Sequence, residues 1–381
     1  MLILAVVLSG CGGGSGSRGG TNGDDDSGNV ATTKCFVYAA CYEAGEIRAY
    51  GVNNDDGSLS LISNYRRNEP AEPGRHLGEF TPKYLTSTGQ YVYVTNAGDN
   101  TISTFAIIKD SGALQLIQDV IKSESSNSVV VTPNNNYLYL TSLQNIIAYQ
   151  MNSDRTLITE NKEAKVIYKS DPFQQPFSIA ISQNGKYLYM GDASENTISA
   201  FVISGTDGQL SSIGTLNINY PSAIASNNQF VYVTNRRDDK VFAYTISGNG
   251  LLQPNIFPES VDTGLNPCAI AIDPKGRYVF VLSKGDSMIL ESTISIYAIN
   301  ANGSLTKKAD IPNDIASGMN SFDLAIDPNG RYLFVTNGGI GNSSDKNITS
   351  FTINQNDGSL TKVGTYDLGV RSEHIICVGT P

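Results

Sequence analysis

A four-residue apolar strand recurs seven times along the 381 residues of this chain. It reads Phe36-Val37-Tyr38-Ala39, Tyr91-Val92-Tyr93-Val94, Tyr137-Leu138-Tyr139-Leu140 and Tyr187-Leu188-Tyr189-Met190. Phe230-Val231-Tyr232-Val233, Tyr278-Val279-Phe280-Val281 and Tyr332-Leu333-Phe334-Val335 complete the series. Successive copies start 43 to 55 residues apart, the spacing of propeller blades. Length alone would suggest two or three domains, but one unbroken array from about residue 35 overrides that prior.

A second marker follows each copy: a tight turn and then leucine. Asp56-Gly57-Ser58-Leu59, Ser111-Gly112-Ala113-Leu114, Asp207-Gly208-Gln209-Leu210 and Asn249-Gly250-Leu251-Leu252 are four of them. Asn302-Gly303-Ser304-Leu305 and Asp357-Gly358-Ser359-Leu360 follow, and Ser153-Asp154-Arg155-Thr156-Leu157 is the glycine-free variant. Asn-Gly and Asp-Gly supply the positive φ of a tight hairpin. A third strand lies between the two markers, and another apolar strand precedes each aromatic one, as in Cys268-Ala269-Ile270-Ala271-Ile272 before Asp273-Pro274-Lys275-Gly276. The pattern predicts an all-β, seven-bladed β-propeller with four-stranded antiparallel blades, strands A to D running outward from the axis. Stacked blades bury both faces of their middle strands, so these strands read as continuous apolar runs.

The first blade lacks its A strand, while His374-Ile375-Ile376-Cys377-Val378 read as an A strand with no successor. The C-terminal strand is therefore expected to complete blade one and close the ring, removing exposed edges. The blades are expected at about 35–76 plus 372–381, 80–121, 127–164, 175–217, 220–262, 266–312 and 320–369. Cys35 and Cys377 then lie near one another across the closure, where an oxidising compartment would favour a disulfide. The inferred register points them to opposite faces, which disfavours it.

The termini carry a different kind of signal. Residues 1–11 resemble a bacterial lipoprotein signal: an apolar Met1–Leu8, then Leu8-Ser9-Gly10-Cys11, with Cys11 as the lipid attachment point. No Lys or Arg precedes the apolar stretch. Residues 12–34, with Gly12-Gly13-Gly14 and Asp24-Asp25-Asp26, read as a flexible linker. A monomer tethered to the cell envelope, outer membrane or periplasmic face, and meeting the membrane only through its lipid, is expected. With 26 basic against 36 acidic side chains and a net charge of −10, nucleic acid is excluded as a partner. No spacing suggests a metal site, and no motif calls for a cofactor.

Tyr93-Val94-Thr95-Asn96, Tyr232-Val233-Thr234-Asn235 and Asp327-Pro328-Asn329-Gly330 carry a resemblance. From residue 35 onward the chain is similar to lactonase-type seven-bladed propellers: the 6-phosphogluconolactonase family, its muconate-cyclase relatives and the broader YVTN-repeat proteins. The resemblance implies lactone opening at one mouth of the central channel by histidine, arginine and glutamate. Those enzymes often carry Pro-Arg-His at the start of A strands. Here the equivalent stretches read Pro221-Ser222-Ala223, Pro267-Cys268-Ala269 and Gln175-Pro176-Phe177, and only Ser372-Glu373-His374 keeps a histidine.

In a meander the D–A and B–C connections share one face. The long connections all fall there: Ser283 to Glu291, Asn337 to Asp345, and Asn64 to Phe80. Both histidines of the chain do too. His374 and Glu373 are the candidate acid–base pair, and Arg75, His76, Arg236, Arg237 and Arg371 the candidate ligand-binding groups. The primary expectation is a module that binds a small molecule or protein on this loop face. The alternative is a hydrolase acting on an extracytoplasmic lactone.

Overall fold

The computed structural model describes residues 34–66, 80–122, 126–142, 145–157, 165–169, 176–254, 259–285, 292–308, 314–318, 320–338 and 346–379. Cys11, Arg75, His76 and parts of the three long connections lie outside them. The described residues form seven antiparallel sheets; six are meanders of consecutive strands, and in the first the last strand of the chain joins the first three. In blades five and six the outer strand is written in two pieces, Leu252–Pro254 with Ser260–Asp262 and Leu305–Lys307 with Asp314–Gly318. A 3₁₀ turn, Tyr42–Ala44, links the B and C strands of blade one.

Ring closure follows the expected route. His374–Gly379 pairs antiparallel with Cys35–Cys41 and becomes the innermost strand of the first blade. One expectation is corrected at this seam. Val37 lies opposite Cys377 and Cys35 opposite Gly379, so Cys35 and Cys377 share a face as diagonal neighbours. A single-residue change in register moves every side chain to the other face, and sequence patterning did not resolve that step. Both cysteines are free thiols.

The two sequence markers turn out to be the two halves of one joint between blades. In five blades the second aromatic of the repeat is tyrosine, and its hydroxyl donates to a backbone carbonyl in the C–D turn of the next blade. The pairs are Tyr38 to Gly112 (2.8 Å), Tyr93 to Arg155 (2.7 Å), Tyr139 to Gly208 (2.8 Å), Tyr189 to Gly250 (3.1 Å) and Tyr232 to Gly303 (3.0 Å). Blades six and seven carry Phe280 and Phe334 there, and the first aromatic takes over. Tyr278 donates to the Asn356 carbonyl at 2.8 Å and Tyr332 to the Asn54 carbonyl at 2.7 Å. Arg277 and Arg331, anchored on the buried Asp273 and Asp327, donate to the same two turns.

These hydroxyls are buried and would lose water without a partner, so each bond avoids a desolvation cost. Replacing Tyr232 with Phe leaves a buried Gly303 carbonyl short of a donor and is expected to destabilise by about 1 kcal/mol. A denaturant titration comparing midpoints at constant slope measures it; a midpoint equal to the parent's would show that the bond contributes nothing.

The D–A and B–C segments meet at one end of the ring, as backbone bonds from Ala97, Arg236, Lys284 and Gly338 to Thr81, Tyr220, Asn266 and Asn320 demonstrate. The functional candidates cluster at that end.

Candidate functional site

Six of the seven innermost strands begin with the same irregularity. In blade two, Pro82 pairs with Asn96 and Tyr84 with the adjacent Thr95, leaving Lys83 as an extra residue. The same bulge leaves Asn127, Phe177, Ser222, Cys268 and Phe322 as the extra residues of blades three to seven. Four of these strands open with proline, which has no N–H to offer a ladder and suits such a start. A bulge bends its strand and re-aims its side chain, and bulges gather beside active sites. In blade one the corresponding position pairs Ala40 with His374.

This register defines the triplets that sequence inspection sought. Blade four reads Pro176-Phe177-Ser178, one residue on from the stretch expected. Two informative triplets went unread: Pro82-Lys83-Tyr84 and Ser321-Phe322-Asp323. Aligning all seven strand starts on their bulges would have found both, because the third position is where His374 stands.

Third-position side chains are polar in five blades, Tyr84, Ser128, Ser178, Asp323 and His374, and are Ala223 and Ala269 in blades five and six. Asp323 Oδ2 accepts the Ile375 N–H at 3.0 Å, and Ser178 Oγ accepts that of Ile224 at 3.2 Å. His374 Nδ1 accepts the Leu85 N–H at 3.4 Å, which leaves the ring proton on Nε2, 3.6 Å from Asp323 Oδ2. The Tyr84 ring meets the imidazole edge-on at 5.6 Å. His374 is 2% exposed and Asp323 1%. These contacts thus lie beneath the mouth and tie blades seven, one and two together.

Burial disfavours charge on both partners of the pair. It pushes His374 down to about 3 and Asp323 up to about 8. The stability contributed by His374 is present above its ordinary 6.5 and lost as pH falls through 3. That contributed by Asp323 is present below its ordinary 3.8 and lost as pH rises through 8. Between 3.8 and 6.5 the folded pair and the unfolded pair each bind one proton, so the two slopes cancel. The contribution of this pair to stability should therefore be flat across weakly acidic pH and fall by about 2 kcal/mol between pH 6.5 and 8, at about 1.4 kcal/mol per unit. Melting curves across this range check it, and Asp323→Asn should flatten the alkaline side. A difference between wild type and Asp323→Asn that does not fall from pH 6.5 to 8 would refute the assignment.

Above the seam the mouth is charged. Glu373 accepts a hydrogen bond from Arg371 Nη2 at 2.6 Å, and its N–H donates to the Ala40 carbonyl. Arg371 also approaches Glu43 at 4.0 Å, and Glu43 is held by Lys346 at 2.9 Å. Lys83, Lys284 and Arg236 are half-buried nearby. Burial pushes Lys83 and Lys284 below the usual lysine value; Glu373 opposes this in both, while Arg236 and Arg371 add to it at Lys284. Of the sequence candidates, the structure therefore brings Arg371, Glu373, His374 and Arg236 to one end. Arg237, in the same turn, is exposed. Lys83 and Lys284 were missed because a lone lysine at the end of a strand looks the same in sequence whether it is solvated or half-buried.

A cluster of cations about one carboxylate, above the buried His374–Asp323 pair, can bind and polarise a small oxygen-rich molecule. The family model for the lactonase, 7-bladed beta-propeller matches residues 22–256, 217–289 and 253–378. A 6-phosphogluconolactonase of Serratia proteamaculans is 25% identical over 290 residues, covering 72% of this chain and 81% of that protein. One from Formosa agariphila is 23% identical over 336 residues, covering 84% and 77%. Among solved structures, a Bacteroides fragilis protein superposes with a TM-score of 0.71 at 19% identity, covering 92% of this chain and 99% of its own. The periplasmic gluconolactonase of Pseudomonas aeruginosa gives 0.68 at 17%, covering 92% and 100%. Blade number, closure and the extent of the family match agree: this chain belongs to the lactonase family of seven-bladed β-propellers.

Proposed function

We propose that this protein hydrolyses a lactone at the D–A/B–C mouth, the reading that stood second to a binding module on sequence alone. One observation carries it: in a lactonase-family ring, the Arg371–Glu373 pair stands at the axis with Lys83 and Lys284 beside it. In this reading water attacks the lactone carbonyl carbon as its proton passes to the Glu373 carboxylate. The charge that develops on the carbonyl oxygen is met by the neighbouring cations. The ring C–O bond then breaks, and Glu373 returns the proton to the leaving alkoxide. His374 and Asp323 act from below by holding the strand that presents Glu373.

In this reading the chain is tethered by lipid at Cys11 and works outside the cytoplasm, and the resemblance of residues 1–11 to a lipoprotein signal supports it. The Pseudomonas aeruginosa neighbour is a periplasmic gluconolactonase, which supports that location. Incorporation of labelled fatty acid that Cys11→Ser abolishes would support the tether; incorporation unchanged in that variant would refute it.

Turnover of aldonolactones by the full chain, corrected for spontaneous opening, tests the chemistry. Glu373→Gln should lower kcat by about 10²-fold or more, the usual contribution of a general base. Wild-type protein that binds but never opens a panel of such lactones would overturn the hydrolase reading in favour of a binding module.

A further inference from the structure

The closure of the ring brings together two thiols that the mouth does not use. His374–Gly379 runs from the mouth toward the opposite end, where Cys35 opens the neighbouring strand. Val37 faces Cys377 and Gly379 faces Cys35, so the two cysteines are diagonal neighbours on one face. Diagonal side chains across an antiparallel pair come within reach of one another. Here the thiols touch, and Cys377 donates an S–H hydrogen bond to the Cys35 sulfur.

Cys41 and Cys268 supply the contrast. Both are buried, and burial pushes each up to about 12, as expected of cysteines that only fill space. Cys35 is equally buried, at 1% exposed. The hydrogen bond from Cys377 nevertheless holds its thiol below the ordinary value, against that burial. Asp327 and Arg331, which flank the A–B turn of blade seven, oppose one another there. A disulfide needs about 2 Å between sulfurs, so the contact has to shorten by about 1–2 Å. The strand ends can supply that movement. Cys35 is the first residue of its strand, and Gly379 opposite it is the last of its own and has no side chain.

We propose that Cys35 and Cys377 form a disulfide clasp that locks the ring, made by a disulfide-bearing oxidant such as oxidised glutathione and undone by thiols. The clasp rests on the geometry of the closure and not on the reaction at the mouth. Cys35 gives its proton to water, and its thiolate attacks one sulfur of the oxidant. The oxidant's S–S bond breaks, and the first thiolate leaves and takes up a proton. Cys377 then loses its proton to water, attacks the Cys35 sulfur and expels the second thiolate, which is protonated in turn. Two S–H bonds are exchanged for one S–S bond, and two electrons reduce the oxidant to two thiols. All seven blades lie between the linked residues in sequence, so the link restricts the unfolded chain strongly.

Incubation of the full chain with oxidised glutathione, then mass spectrometry of an unreduced digest, tests the clasp. A linked Cys35–Cys377 peptide is expected, and dithiothreitol should abolish it. The melting midpoint of the oxidised chain should exceed that of the reduced chain by at least about 5 °C. This redox shift should vanish in Cys35→Ser and in Cys377→Ser and persist in Cys41→Ser. Each shift is read within one protein, so stability lost to the substitution itself cancels, and the wild-type comparison needs no variant.

Both cysteines left as thiols, or capped by glutathione without a link, would overturn the proposal. So would a link that leaves the midpoint unchanged or lowers it, or a shift that survives in Cys35→Ser.

Discussion

A chain truncated after Val370 is expected not to fold. The lost residues include His374–Gly379, the whole inner strand of blade one. Ile375 and Val378 are buried, as is His374. Burying each aliphatic side chain contributes about 1.5–3 kcal/mol, so the apolar part alone is several kcal/mol. The backbone ladder from Cys35 to Ala40 would lose every partner on its axial side. Asp323 and Leu85, which now meet Ile375 and His374, would be left short across two further blade boundaries. Set against a total stability of about 5–15 kcal/mol, these losses are decisive. Because the ring has no other closure, the damage is global and the freed edge invites aggregation. Circular dichroism and sedimentation of the truncated protein measure it; a monomer with the parent's melting midpoint would show that closure does not hold the ring.

The second large effect is expected at Gly303. Its φ is +83°, a conformation in which a β-branched side chain is strained, and an added Cβ would fall 2.2 Å from the Phe230 ring. Strain and overpacking each cost about 1–3 kcal/mol, so Gly303→Val should destabilise by about 3–5 kcal/mol. The ring has nowhere to move, since Phe230 is itself 8% exposed and packed between blades. Gly205→Ala is the control, because a Cβ there meets nothing within 4 Å. It should change stability by no more than about 0.5 kcal/mol. Chemical denaturation of both variants separates the joint from generic glycine effects, and similar midpoints for the two would refute the joint.

The Gly303 contact is one of a set. The first aromatic of each repeat lies over a turn glycine of the next blade at Gly57, Gly112, Gly208, Gly250, Gly303 and Gly358. In blade three Arg155 holds that turn position at φ +67° without a glycine, and Tyr93 still reaches its carbonyl. Two motifs written about twenty residues apart are complementary surfaces, and their partners belong to different blades.

Blade number, strand order and closure were legible because they rest on local apolar patterns and turn residues, repeated often enough to average out exceptions. The mouth was only partly legible. His374, Glu373, Arg371 and Arg236 stood out as rare or clustered residues. Asp323 did not, because an aspartate in an apolar strand carries no mark of the histidine it will face from another blade. Lys284 did not either, because its burial depends on Phe322, thirty-eight residues away.

The repeat is short-range information, so the chain's own pattern was enough to specify seven blades and the strand that closes them. Which charges lack partners, which histidine nitrogen carries the proton, and which face holds Cys35 and Cys377 depend on register and on contacts between blades. Those are set only when the ring closes, since a one-residue slip in a strand moves every side chain to the other face.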